Sequence, residues 1–248
     1  SIKDKHPNIN VIIEPIGLRD HEKRVALALS SGLEEATVFE LIGSTANRYI
    51  VNDLLPPAPD KVSNFVNNSK NFEPFFQEVA AVDGKTYGVP IFRGQGALFY
   101  NTDMFAAAGL SGPPKTMAEY SEYAKKLTQR DSNGNPTVSG WSLRLSGGGG
   151  GIAEKFWINL HQFGGSLLEK SGDGYRASYA NDAGLAAFRQ YVQAVSGDKT
   201  VTVEMPADAA AFQREQTAMF IRESWVIGDT AKKSPNLNYK TALLPRGS

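Results

Sequence analysis

Apolar and polar positions along this chain switch repeatedly between the two-residue period of strands and the 3.6-residue period of helices. Ser1 to Pro7 reads as the end of a helix stopped by Pro7. Asn10 to Ile16 is β-branched and apolar and predicts a strand. Asp20 to Ser31 places Val25, Ala26 and Leu29 at helical spacing and stops at Gly32. Ala36 to Ile42 predicts a second strand, and Ser44, Thr45 and Asn47 offer caps for a helix running to Asp53. This βαβα order predicts a parallel sheet with flanking helices. Ligands of such sheets sit at the carboxyl ends of the strands, where Gly43 and Ser44 fall. The three prolines of Leu54 to Asp60 exclude regular structure, and Asn71 to Ala81 reads as a short helix.

The stretch Gly88 to Asn101, GVPIFRGQGALFYN, has two characters. Ala97 to Tyr100 is apolar and aromatic, as in a strand buried on both faces. Its opening is polar and bare: Arg93 and Gln95 interrupt the run, and Gly94 and Gly96 expose the backbone, which suggests a place where something polar approaches. Beyond it, Thr102 to Gly109 is helical, and Thr116 caps a helix to about Arg130 with Glu119 as capping-box partner. Asp131 to Thr137 is a turn, and Val138 to Leu145 alternates like a strand. Five glycines, Gly147 to Gly151, precede an amphipathic helix from Ile152 to Phe163. Asn181 caps another helix to Val195, and Ala207 to Arg214 is a short one. Thr217 to Ile221 is a strand, Trp225 opens a helix, and Tyr239 to Leu244 is a last strand.

Composition narrows the function. In 248 residues there are 26 basic and 26 acidic side chains, so the formal net charge is zero. That argues against a dedicated nucleic-acid binder, which needs a basic face. The length suits one large domain or two ordinary ones. No apolar run is long enough to cross a membrane. The chain opens at Ser1 without an initiator Met, consistent with removal of a signal peptide. Cysteine is absent, which excludes disulfides, thiolate metal sites and a Cys nucleophile.

VPIFRGQGALFYNTDMFAAAGL, then PPKTMAEY and FQREQTAMFIRESW, with HPNINV near the start, resemble bacterial extracellular solute-binding proteins of the sugar-binding, maltose-binding-protein-like type. The resemblance covers nearly the whole chain at matching intervals. It implies an α/β fold of periplasmic-binding-protein type II, two lobes joined by hinge strands, with Tyr100 and Asn101 marking the crossing. Residues 1–98 then form lobe 1 and 99–248 lobe 2. Relative to that family the chain lacks a first strand and a C-terminal part, so an incomplete fold is expected. Its open sheet edges invite a homodimer. The implied role is non-catalytic: periplasmic or lipid-anchored capture of a sugar or related polar solute, delivered to an ABC transporter permease, with no cofactor.

In the resembled family the Trp at the position of Trp225 stacks on a sugar ring; the alternative is a core Trp. Arg222 and Glu223 either hydrogen-bond hydroxyls or pair with each other at the surface. Arg93 and Gln95 replace a carboxylate that some family members carry, which hints at an anionic solute; the alternative for Arg93 is a hinge salt bridge. Gly148, within the glycine run, is either a backbone contact to ligand or part of a flexible rim. Trp157 reads as core before site, and Trp141 as strand core. Gly94-x-Gly96 is no dinucleotide fingerprint, and the glycine run lacks the Lys-Ser/Thr ending of a P-loop. His6, His21 and His161 are scattered and support neither a metal site nor a triad. No carboxylate pair stands out for glycoside hydrolysis. The rival readings are a carrier of anionic solutes and a sugar-processing enzyme.

Overall fold

A computed structural model describes residues 2–32, 38–144, 149–206 and 208–247. The chain divides into two compact units, Ser1–Phe92 and Arg93–Ser248.

The first unit is helical. It holds α1 (Ile2–Lys5), α2 (Leu18–Ser31), α3 (Gly43–Ile50), α4 (Asp60–Val66) and α5 (Pro74–Val79), then a hairpin of β1 (Ala81–Val82) and β2 (Lys85–Thr86). Helix α2 ends as its sequence requires, with Gly32 in the left-handed conformation at φ 68°. Asp83 and Gly84, at φ 48° and 74°, make the tight turn of the hairpin. The strands expected at Asn10–Ile16 and Ala36–Ile42 do not form among the described residues. A strand is stable only against a neighbour, and neither segment has one here; Ile13 and Val38 are 82% and 87% exposed. Residues 33–37 lie outside the described set. The expected parallel βαβα sheet is therefore not present in the described part of this unit. Gly43 and Ser44 instead open α3 directly, and no side chain caps it.

The second unit is built on a three-stranded sheet. In chain order its elements are β3 (Gly96–Asn101), α6 (Thr102–Ala107), α7 (Met117–Leu127), β4 (Gln129–Arg130), β5 (Pro136–Val138), α8 (Gly149–Gln162), β6 (Leu168–Ser171) and β7 (Gly174–Ala177). Then come α9 (Asp182–Val192), which runs on as a π turn, α10 (Asp208–Gln213), β8 (Met219–Glu223), α11 (Trp225–Lys233) and β9 (Tyr239–Ala242). Strand β3 is central, flanked by β8 and β9, and both pairings are antiparallel. Among the described residues, parallel contacts are confined to the isolated bridges Thr116–Arg246 and Ser139–Thr217.

The buried run of β3 serves both faces of the sheet, as its apolar character predicts. Leu98 and Tyr100 join Met219 in one cluster with Met117, Tyr120, Ala124 and Leu127 of α7 and with Trp141. Phe99 joins Phe220, Phe212 of α10 and Val226 of α11 in the other. Alternate side chains of a strand point to opposite faces, so one apolar strand can anchor two layers of helix. Trp141 is core, as expected, but sits just beyond β5 rather than in a strand. The caps also form where the sequence places them. Thr116 Oγ1 accepts from Glu119 N at 3.1 Å, and Asn181 Oδ1 from Gly184 N at 3.1 Å. Asn101 is wholly buried and caps α6, accepting from Asp103 N and Met104 N, each at 2.9 Å.

Candidate solute-binding site

Register fixes the site. Strand β8 runs antiparallel to β3 with Arg222 opposite Ala97 and Glu223 opposite Gly96. Ser224 N donates to Gln95 O at 3.0 Å, so the chain leaves β8 beside the glycine-bounded stretch and turns into α11 at Trp225. The bare backbone matters at Gly94, where a Cβ would meet Glu223 Cβ at 3.4 Å. Gly94, Gly96 and the Arg222–Trp225 turn, far apart in sequence, therefore lie side by side.

Six charged groups of alternating sign, Asp208, Arg222, Glu223, Lys155, Glu154 and Arg144, back this turn. Arg222 is 7% exposed. Its Nε lies 3.5 Å from Asp208 Oδ2 and its Nη1 3.3 Å from Glu223 Oε2, though neither nitrogen makes a hydrogen bond. Lys155 of α8, also buried, donates to Glu223 Oε1. Glu154 stands 3.8 Å from Lys155 and 3.8 Å from Arg144. Burial alone would raise the Glu223 carboxyl. The hydrogen bond and charge of Lys155, with the charge of Arg222, outweigh it and hold Glu223 below the ordinary carboxylate range. Glu223 is thus an anion with both oxygens engaged.

Trp225 stands at the edge of this cluster and is half-exposed. The Arg222 guanidinium carbon is 5.0 Å from its ring centroid, and its indole N–H donates to Glu223 Oε2 at 3.3 Å. The ring is held by one face and by its N–H, with the remainder open to solvent. Such a surface suits the C–H face of a sugar ring.

The other expected residues are placed differently. Arg93 and Gln95 are exposed, at the start of the second unit; Gln95 Nε2 reaches Gly96 O at 3.5 Å. Gly43 and Ser44 lie in the first unit. Gly148 lies outside the described residues. Trp157 is not core, as expected, but 44% exposed, its ring 5.5 Å from that of His161 on the same helix. Two residues along a helix are about 200° apart, so Trp157 points away from the face that carries Lys155.

Sequence reasoning missed Lys155 and Asp208. A signal for Lys155 was present. Lys155, Asn159 and Gln162 form a polar i, i+4, i+7 stripe on α8. With Arg144, Asp208 and Tyr120 these three line a hollow of about 20 Å³, the size of one water. Burial, with the neighbouring Tyr191, pushes the Tyr120 phenol well up, so it stays neutral. A larger hollow of about 720 Å³ lies between α7 and α9, against Phe188 and Val192, an apolar trough unlike a polyol site.

The sequence profile described as "Bacterial extracellular solute-binding protein" matches residues 1–248, and the chain belongs to that family. A Brucella abortus (strain 2308) protein named as a binding protein is 23% identical over 206 residues, 81% of this chain and 48% of its own length. The GacH receptor of Streptomyces glaucescens, solved unliganded and with acarbose, has a TM-score of 0.79 at 21% identity and covers all of this chain. An ABC transporter solute-binding protein of Thermotoga lettingae, bound with α-D-tagatose, has a TM-score of 0.81 at 21% identity and covers 99% of this chain. This chain spans 61% and 62% of those two, and about half of the Brucella relative. The resemblance to solute-binding proteins of the maltose-binding type holds at the level of family and fold. The parallel sheet expected from the βαβα pattern does not.

Proposed function

We propose that the protein is the solute-capturing component of an ABC importer. It takes up a sugar or related neutral polyol without chemically altering it and presents it to the transporter permease. Trp225 is the stacking platform, and two lobes close over the solute by hinge motion. The observation that carries this is the half-exposed Trp225 ring, held by Arg222 and Glu223 at the end of β8. Relatives of like fold solved with acarbose and tagatose support the sugar class. Charge balance speaks against the anionic alternative raised by Arg93. Both buried cations of the cluster, Arg222 and Lys155, are already matched by Asp208 and Glu223. A phosphate would have to displace those partners.

Titration calorimetry of the protein at its natural length with maltose, D-tagatose and acarbose tests the reading, with glycerol 3-phosphate as the anionic counterpart. Binding of a neutral sugar, with a change in Trp fluorescence, is the expected result. Binding of glycerol 3-phosphate alone would replace it with the anionic reading.

A further inference from the structure

Trp225 is set in place from a different helix. Its indole N–H bonds to Glu223 Oε2, and the other oxygen of that carboxylate takes the ammonium of Lys155 on α8. Lys155 lies 68 positions before Glu223 and is buried, while Trp225 is half-exposed. A buried lysine is costly unless paired, so its pairing with Glu223 fixes where that carboxylate sits. Arg222 shares the same carboxylate from the sheet side and covers one face of the ring.

We infer that Lys155 is a positioning residue for the solute site: through Glu223 it fixes the orientation of the Trp225 ring before any solute arrives. This deepens the proposed function, since the benefit of a preset ring is realised in solute binding. A ring already held loses less rotamer freedom on binding. The groups around Glu223 that enter its titration are Lys155 and Arg222, with Asp208 behind Arg222 and Glu154 behind Lys155. The lowered titration of Glu223 agrees with the geometry, because the Lys155 contact is made to the carboxylate anion.

The test uses fluorine NMR of the full chain labelled with 5-fluorotryptophan, the Trp225 resonance being assigned by its loss in Trp225→Phe. Without any solute, that resonance follows the acid titration of Glu223 in the wild type. In Lys155→Met its position shifts at neutral pH and its titration midpoint moves up, and Lys155→Arg restores both. Glu223→Gln removes the titration and leaves the resonance indifferent to Lys155→Met. With a sugar that binds the wild type, Lys155→Met weakens affinity by about threefold to tenfold. An unchanged Trp225 resonance in Lys155→Met at every pH would overturn the inference. If that variant fails to fold, an unchanged resonance in Glu223→Gln does the same. Failure of every sugar to bind the wild type would remove the proposed function, while the solute-free spectra still decide the role of Lys155.

Discussion

At the scale of single residues, charge and exposure separate the groups that hold the Trp225 ring from the ring itself. Glu223 has a depressed titration in the folded chain. A carboxylate in an unfolded chain titrates near about 4.3. Its stabilising contribution is therefore complete above that value and is lost as pH falls through the lower folded value. Urea unfolding followed across the acid range should show wild-type stability falling with pH there, and Glu223→Gln should flatten that part of the profile. Trp225 should behave in the opposite way. Half-exposed, it contributes little to folding, yet Trp225→Ala should weaken sugar binding by about 2 kcal/mol or more, the scale of an aromatic anchor. Calorimetry with the unfolding midpoint measured in parallel separates the two effects. An equal loss of stability and binding would argue that the ring is structural.

At the scale of elements, caps and close approaches decide where helices begin and pack. Asn101, which the family resemblance implies marks the lobe crossing, is the N-cap of α6, and its amide also donates to Glu215 Oε1 at 3.3 Å. Asn101→Ala removes the cap and leaves buried donors unpaired, so a loss of about 1–2 kcal/mol is expected from urea denaturation, with m unchanged. Gly140 lies against α7, where a Cβ would collide with the Ala124 carbonyl oxygen. Gly140→Ala should therefore lower the thermal midpoint by an amount equivalent to about 1–3 kcal/mol, the usual cost of overpacking. The helices of the second unit were legible because their signals are local: Thr116 with Glu119, Asn181, and Gly164 just beyond α8. Strands were legible only in part. β3 and β9 were recognisable from their apolar residues. The hairpin β6–β7 was missed because Leu168–Ser171 and Gly174–Ala177 are exposed throughout and lack a period-two apolar pattern.

At the scale of the whole molecule, the two units differ in the core they possess. In the first, the buried apolar side chains among the described residues are Val25, Ile50 and Val66, while Ile12, Ile13, Val38, Ile91 and Phe92 stand exposed. The second carries two aromatic-rich clusters on opposite faces of one sheet. Burial of apolar area is the main favourable contribution to folding, so the units should not be equally stable. Hydrogen exchange followed by mass spectrometry should show fast amide exchange through α2 and α3 and slow exchange in β3 and β8. Uniform protection of both units would contradict this.

The sequence by itself determined the family, the position of the buried strand Ala97–Tyr100 and most helix boundaries of the second half, and it singled out Trp225, Arg222 and Glu223 as candidates. These rest on local spacing, capping and apolar runs, which a chain carries wherever it folds. Tertiary structure decided the rest. It left Asn10–Ile16 and residues 38–42 without strand partners. It made the sheet around β3 antiparallel. It brought Lys155 and Asp208 to the carboxylate and guanidinium behind Trp225. Pairing partners and buried ion pairs depend on which distant segments meet, and no local pattern encodes that meeting.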